Sequence, residues 1–155
     1  MKWLTIFLDF PADAFEAGVA FWRDVTGSGL SPLRGERQEF ATLLPPAGDP
    51  WLRVQRLGPS RGGCHLDLHV DMSMGTLEGT ADHATALGAT VRHREDGLII
   101  SESPGGFPFC LVRWEGEAKP PAPVSATSTT CLADQLCLDV PPGEDFEQEL
   151  RIPTA

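Results

Sequence analysis

Residues 64–71 read CHLDLHVD. The stretch alternates strictly. Leu66, Leu68 and Val70 fall on one side of an extended chain, and His65, Asp67 and His69 fall on the other. Period two with one apolar row is the pattern of a half-buried strand. Its apolar row needs a helix to cover it, and one follows. Leu77, Ala81, Ala84 and Leu87 recur at helical spacing, and Gly88 supplies the stop. Residues Ala89–His93, Leu98–Ser101 and Phe107–Trp114 then read as strands, punctuated by DG at 96–97 and PGG at 104–106.

The same order stands upstream. Trp3–Phe10 reads as a strand with Ile6, Leu8 and Phe10 on the helix side and Thr5, Phe7 and Asp9 on the opposite side. A helix follows, with Asp13 as its expected N-cap and Glu16 completing a capping box. Phe15, Val19, Trp22 and Val25 form its apolar stripe, which places Trp22 in the core, and Gly27 ends it. Glu39–Leu44 and Trp51–Leu57 read as strands around the turn PPAGDP, with a weaker strand near Leu30–Leu33. Each half therefore runs strand, helix, three strands, a duplication with a period of about 60 residues. The fold class expected is α+β, with paired β-α-β-β-β units.

Composition narrows the partners. The formal charge of −10 repels a polyanion, which excludes nucleic acid as the expected partner. No apolar run reaches the roughly 20 residues of a membrane helix. The opening MKWLTIFLDFP reads as a strand and lacks the layout of a signal peptide, so a cytoplasmic location is expected. Cys64, Cys110, Cys131 and Cys137 form no CxxC pair, which argues against a zinc knuckle and for reduced thiols. Cys110, within FPFCLV, reads as a buried inert thiol. No GxSxG elbow or Walker loop occurs.

The C-terminal part differs in character. Residues 119–130, KPPAPVSATSTT, read as a Pro/Ser/Thr linker. Residues 131–155 read as the incomplete start of a second module, because LDVP at 138–141 repeats LDFP at 8–11 and Phe-Glu follows each. Residues 135–140 serving as an added edge strand is the alternative. GEDFEQE reads as a solvated helix face.

Several strings together resemble one superfamily: AFW and TG in the first helix, CHLDLHVD, ALGATV, and PGGFPFCLVRW at 104–114. They look like the vicinal-oxygen-chelate superfamily of glyoxalase, bleomycin-resistance and extradiol-dioxygenase proteins, and most like glyoxalase-like domains of actinobacterial type. Residues 1–118 would be that module. The resemblance implies two units curling into a cup with helices on the convex face, usually completed by a homodimer or a tandem fusion.

It also implies four metal-ligand positions, carried over to Thr5, Gln55, His65 and Cys110. Only His65 is of the usual type. Thr and neutral Gln are weak ligands for a divalent metal, so no cofactor is expected; a metal, if held, would use His65, Gln55 and Cys110. His65 and Asp67 are spaced to reach one ion, whereas His69 lies about 13 Å from His65 along an extended strand. The polar row of HLDLH reads equally as a hydrogen-bonded row in the cup or an exposed row. His83 and His93 are expected to face solvent.

The expected ligand pocket comprises Thr5, Phe7, Trp51, Arg53, Gln55, His65, Asp67, His69 and Cys110. Phe7 and Trp51 are placed to stack on a ligand, and Arg53 to hold an anionic group or sit in a rim ion pair. The expected function is binding of a small organic molecule without the usual metal. The alternatives are a lyase, isomerase or dioxygenase in which His65 with Asp67 acts as general base or metal ligand, and a truncated copy with little activity.

Overall fold

The computed structural model describes residues 1–126, 129–131 and 135–139. Eight strands form one sheet, in the order β2-β3-β4-β1-β5-β8-β7-β6. They are β1 (Trp3–Pro11), β2 (Gly29–Leu30), β3 (Phe40–Leu44), β4 (Leu52–Leu57), β5 (Gly63–Val70), β6 (Thr90–Glu95), β7 (Leu98–Glu102) and β8 (Pro108–Arg113). Helix α1 (Phe15–Thr26) follows β1 and α2 (Leu77–Ala86) follows β5. The architecture is α+β, with the β-α-β-β-β order occurring twice. The chain divides into two compact units. One is Thr5–His65 with the segment that starts at Gly116; the other is Met1–Leu4 with Leu66–Glu115.

In the first of these units β1 runs parallel to β4, with Phe7 opposite Arg53 and Asp9 opposite Gln55. Ile6, Phe15, Val19, Ala41, Leu43, Leu52 and Val54 are buried and make the core. Phe10 meets Phe15 edge-on at 6.4 Å and lies over Gly18. A Cβ at Gly18 would come within 2.5 Å of the Phe10 ring. Arg56 lays its guanidinium 4.3 Å over Phe15 and pairs with Glu16 at 2.6 Å.

That pairing goes with a different helix start from the one expected. The N-cap of α1 is Ala14, one residue after Asp13, and it makes no side-chain cap. The chain leaves β1 through a turn in which Ala14 N–H donates to the Pro11 carbonyl at 3.0 Å, and the Glu16 carboxylate is drawn to Arg56. Gly27 closes the helix in the left-handed region, as expected (φ 60°). The apolar stripe buries only its first half. Phe15 and Val19 are buried, Trp22 is half-buried and Val25 is exposed.

In the second unit β5 runs parallel to β8, and β7 pairs antiparallel with β8 and β6. Val70, Leu77, Ala81, Ile99 and Leu111 form the core, flanked by Leu68, Val91 and Phe109. Thr76 caps α2 by accepting the Gly79 N–H at 2.9 Å. Such a cap satisfies one of the donors a helix start leaves open.

Beyond β8 the chain is fastened to the turn between β3 and β4. Asp49 Oδ2 accepts the N–H groups of Ala118 (2.7 Å) and Lys119 (2.8 Å), and Asp49 N–H donates to the Lys119 carbonyl at 2.7 Å. Strands β9 (Val124–Ala126) and β10 (Thr129–Cys131) then pair antiparallel within the Pro/Ser/Thr-rich stretch. Most of the 131–155 segment, and with it the expected module start, lies outside the described residues. Among the described residues no helix is long and apolar enough to cross a membrane.

Two predictions follow from this packing. Gly18→Ala gains up to about 1 kcal/mol of helix propensity but forces Phe10 from its seat, an overpacking cost of about 1–3 kcal/mol. Net destabilisation in urea unfolding is expected; unchanged or raised stability would refute the close Phe10–Gly18 contact. Second, the two backbone N–H donors, Ala118 first, hold the Asp49 carboxyl below its usual 3.8. A depressed folded value means the clamp is intact above the unfolded value and lost as pH falls through the folded one. The Ala118 and Lys119 amide resonances should therefore titrate with a midpoint below 3.8. Asp49→Ala should abolish that titration; its persistence would assign it to another group.

Candidate functional site

Strand alternation sets the site. With Ile6, Leu52 and Val54 buried in the core, the neighbouring residues of β1 and β4 point to the opposite face. Phe7 is the centre of that face and is 5% exposed. The His65 imidazole stacks on it at 4.5 Å with an interplanar angle of 10°, and Phe40 meets it edge-on at 6.1 Å. The Arg53 guanidinium stands 5.7 Å from the Phe7 ring centre, within cation–π range. Gln55 stands opposite Asp9 in the β1–β4 register, and both Gln55 and Trp51 are half-buried.

His65 has a defined partner. Its Nδ1 lies 2.8 Å from Asp9 Oδ2, with the two side chains 15% and 10% exposed. Asp9 Oδ1 is buried and has no hydrogen-bond partner among the described residues. Cys64 sits beside this pair. Burial, and then the Asp9 charge, push its thiol above the usual value, so it stays protonated at neutral pH and is a poor nucleophile.

In the other unit Asp67, His69 and Cys110 are all buried. Asp67 stands opposite Cys110 in the β5–β8 register, and His69 opposite Val112. His65 lies two residues before Asp67 on strand β5. Thr5 is fully buried. His83 and His93 are exposed.

The expected pocket residues Phe7, Arg53 and His65 are thus in one cluster. Asp9 and Phe40 belong to it and were not among the expected site residues. Asp9 carried a legible mark, since it shares parity with Phe7. Phe40 carried less, because its place depends on the antiparallel register that sets it opposite Gln55.

As to metal, the four family positions do not offer four good ligands. Thr5 supplies a hydroxyl and Gln55 a neutral amide. Within the second unit the buried carboxylate of Asp67 and the buried thiol of Cys110 stand opposite one another in register.

Residues 5–112 match the family model of the glyoxalase-like domain. The chain belongs to that family. Its fold is that of the vicinal-oxygen-chelate superfamily. It is similar to the 2,2',3-trihydroxybiphenyl 1,2-dioxygenase of Sphingomonas wittichii strain RW1, with 16% identity and a TM-score of 0.51 over 74% of this chain and 41% of that one. It is also similar to the Mn(II)-bound glyoxalase of Novosphingobium aromaticivorans, with 18% identity and a TM-score of 0.47 over 81% of this chain and 42% of that one. The glyoxalase-like chain spans about two-fifths of each. No curated protein matches it. Likeness at this level is likeness of fold, and the fold hosts several chemistries.

Proposed function

We propose that this glyoxalase-like domain binds a small organic molecule against the polar face built by β1, β4 and the start of β5, without the family's four-ligand metal. The observation that carries the reading is the column Arg53–Phe7–His65–Asp9. An apolar ring in contact with a guanidinium and with a hydrogen-bonded imidazole has the composition of a small-molecule site: mostly apolar contact area with a few fixed polar groups. Arg53 supplies charge-assisted donors for an anionic group, and the half-buried Phe40 supplies apolar contact area beside the buried Phe7.

Fragment titration of the ¹⁵N-labelled chain tests this. Shifts from small aromatic acids should concentrate on Phe7, Arg53, Gln55 and His65. Arg53→Ala should weaken anionic fragments by roughly tenfold, the worth of one charge-assisted contact. Shifts centred elsewhere, or indifference to Arg53→Ala, would sink the reading.

A second reading rests on a separate observation, the register pairing of the buried Asp67 and Cys110 within one unit. Carboxylate and thiolate suit a zinc-class ion. Such an ion, when bound, would supply Lewis acidity; the chain's own part would be to hold it through these side chains. Elemental analysis of protein purified without chelator or His-tag separates the readings. A folded, metal-free protein is expected. About one equivalent of zinc, nickel, iron or manganese, lost in Cys110→Ala, would replace the first reading with the second.

A further inference from the structure

We infer that the cavity beside the first turn of α2 is a second binding site, one that takes a zwitterionic amino acid with an apolar side chain. The cavity lies wholly within the second unit, and the inference does not rest on the reading of the face around Phe7.

Strand register builds the cavity. Ile99 of β7 lies opposite Arg94 of β6 and opposite Leu111 of β8. Ile99 and Leu111 belong to the core that includes Leu77 of α2, so this row faces the helix. Arg113 stands two residues beyond Leu111 on β8 and shares its face. Gly97, in the turn between β6 and β7, lines the cavity without a side chain; a Cβ there would stand 3.8 Å from Arg113 Nε. The space left is about 380 Å³, within the ~300–1,000 Å³ range of small-molecule sites. The buried Leu77 and Ile99 give it an apolar floor, and the exposed Met72 is an adaptable apolar neighbour.

The polar lining carries both signs. Arg94 pairs with Glu78, which ties β6 to α2, and Arg113 pairs with Asp96 at 2.6 Å. Glu95 adds a further carboxylate. Each pair uses one guanidinium nitrogen and one carboxylate oxygen. A guanidinium has several N–H donors and a carboxylate has two oxygens, so neither pair exhausts its groups. A ligand carboxylate can therefore accept from the arginines while its ammonium donates to the acids, with both ion pairs intact. Single exposed ion pairs contribute little, and added charges in alternation turn them into a network. The carboxylates oppose a plain anion and the arginines oppose a plain amine. A zwitterion meets both signs, and its apolar side chain rests on Leu77 and Ile99.

Titration of the ¹⁵N-labelled full chain with leucine, methionine and phenylalanine tests the site. The probes 4-methylpentanoate and 3-methylbutylamine each keep one of leucine's two charges. Saturable shifts from the amino acids are expected at Leu77, Gly97 and Ile99. Each single-charge analogue lacks one set of charge-assisted contacts and should bind roughly tenfold more weakly than leucine. Arg113→Gln should weaken leucine by roughly the same factor and should not weaken 3-methylbutylamine. The Arg113 side chain is 54% exposed, so this exchange removes a charge without opening the core, and the wild-type series decides even if the variant does not fold. No saturable shift at these residues with any of the three amino acids, or shifts centred elsewhere, overturns the site. Equal affinity of leucine and either analogue overturns the zwitterion class, and unchanged leucine binding in Arg113→Gln overturns the anchor assigned to the carboxylate.

Discussion

Everything at the site depends on the two-residue period of β1 and on the register that seats it against β4. Ile6 lies opposite Leu52 and Leu8 opposite Val54, and burial of Ile6, Leu52 and Val54 in the core fixes which way each strand faces. A slip of one residue would turn every side chain over. Phe7 would then enter the core and Ile6 would meet His65. The parallel pairing and the covering helix thus determine that Phe7, Asp9, Arg53 and Gln55 share a face before any functional demand is made of them. The close seat of Phe10 over Gly18 serves the same end, since it sets how near α1 can approach β1.

The fold was legible because it rests on patterns that a linear sequence carries. CHLDLHVD alternates, the α2 residues recur at helical spacing, and PPAGDP and DG break the strands where turns occur. The failures share a cause. Asp13 with Glu16 has the form of a capping box, but an arginine 40 residues later along the chain claims Glu16, and the helix starts past Ala14. Trp22 and Val25 continue the stripe of Phe15 and Val19, yet the cover over α1 does not reach its last turn. The cap at Thr76 is silent in the sequence for the opposite reason: a single threonine before Leu77 is an ordinary local feature, and only the folded chain brings its hydroxyl to the Gly79 N–H. Local propensity fixes what a segment can do; long-range partners select among the options.

The site was less legible than the fold for a related reason. Parity assigns a residue to a face but says nothing of which neighbours it meets there. Asp9 and His65 are 56 residues apart, and their hydrogen bond depends on the strands that carry them being brought close. Asp67, two residues from His65, was the partner that sequence proximity suggested. Arg53 could be read as an anion anchor or as a rim ion pair, and only its position over Phe7 ties it to the cluster.

The duplicated architecture explains why the chemistry resists prediction while the scaffold does not. The opening strands of the two units present rows of the same parity: Thr5, Phe7 and Asp9 in β1, and His65, Asp67 and His69 in β5. Their apolar rows answer to a helix and a core and so are held to a narrow choice of residues. Their polar rows carry no such packing constraint. Thr5 and His65 occupy corresponding places in the duplication, yet one offers a buried hydroxyl and the other an imidazole with its own carboxylate. A metal centre built symmetrically from both units would need matching ligands at those two places, and these do not match. Chemistry concentrated on His65 and its immediate partners needs no such match. It requires that the ring be held in one orientation, which the Phe7 stack and the Asp9 hydrogen bond provide from side chains of a single unit.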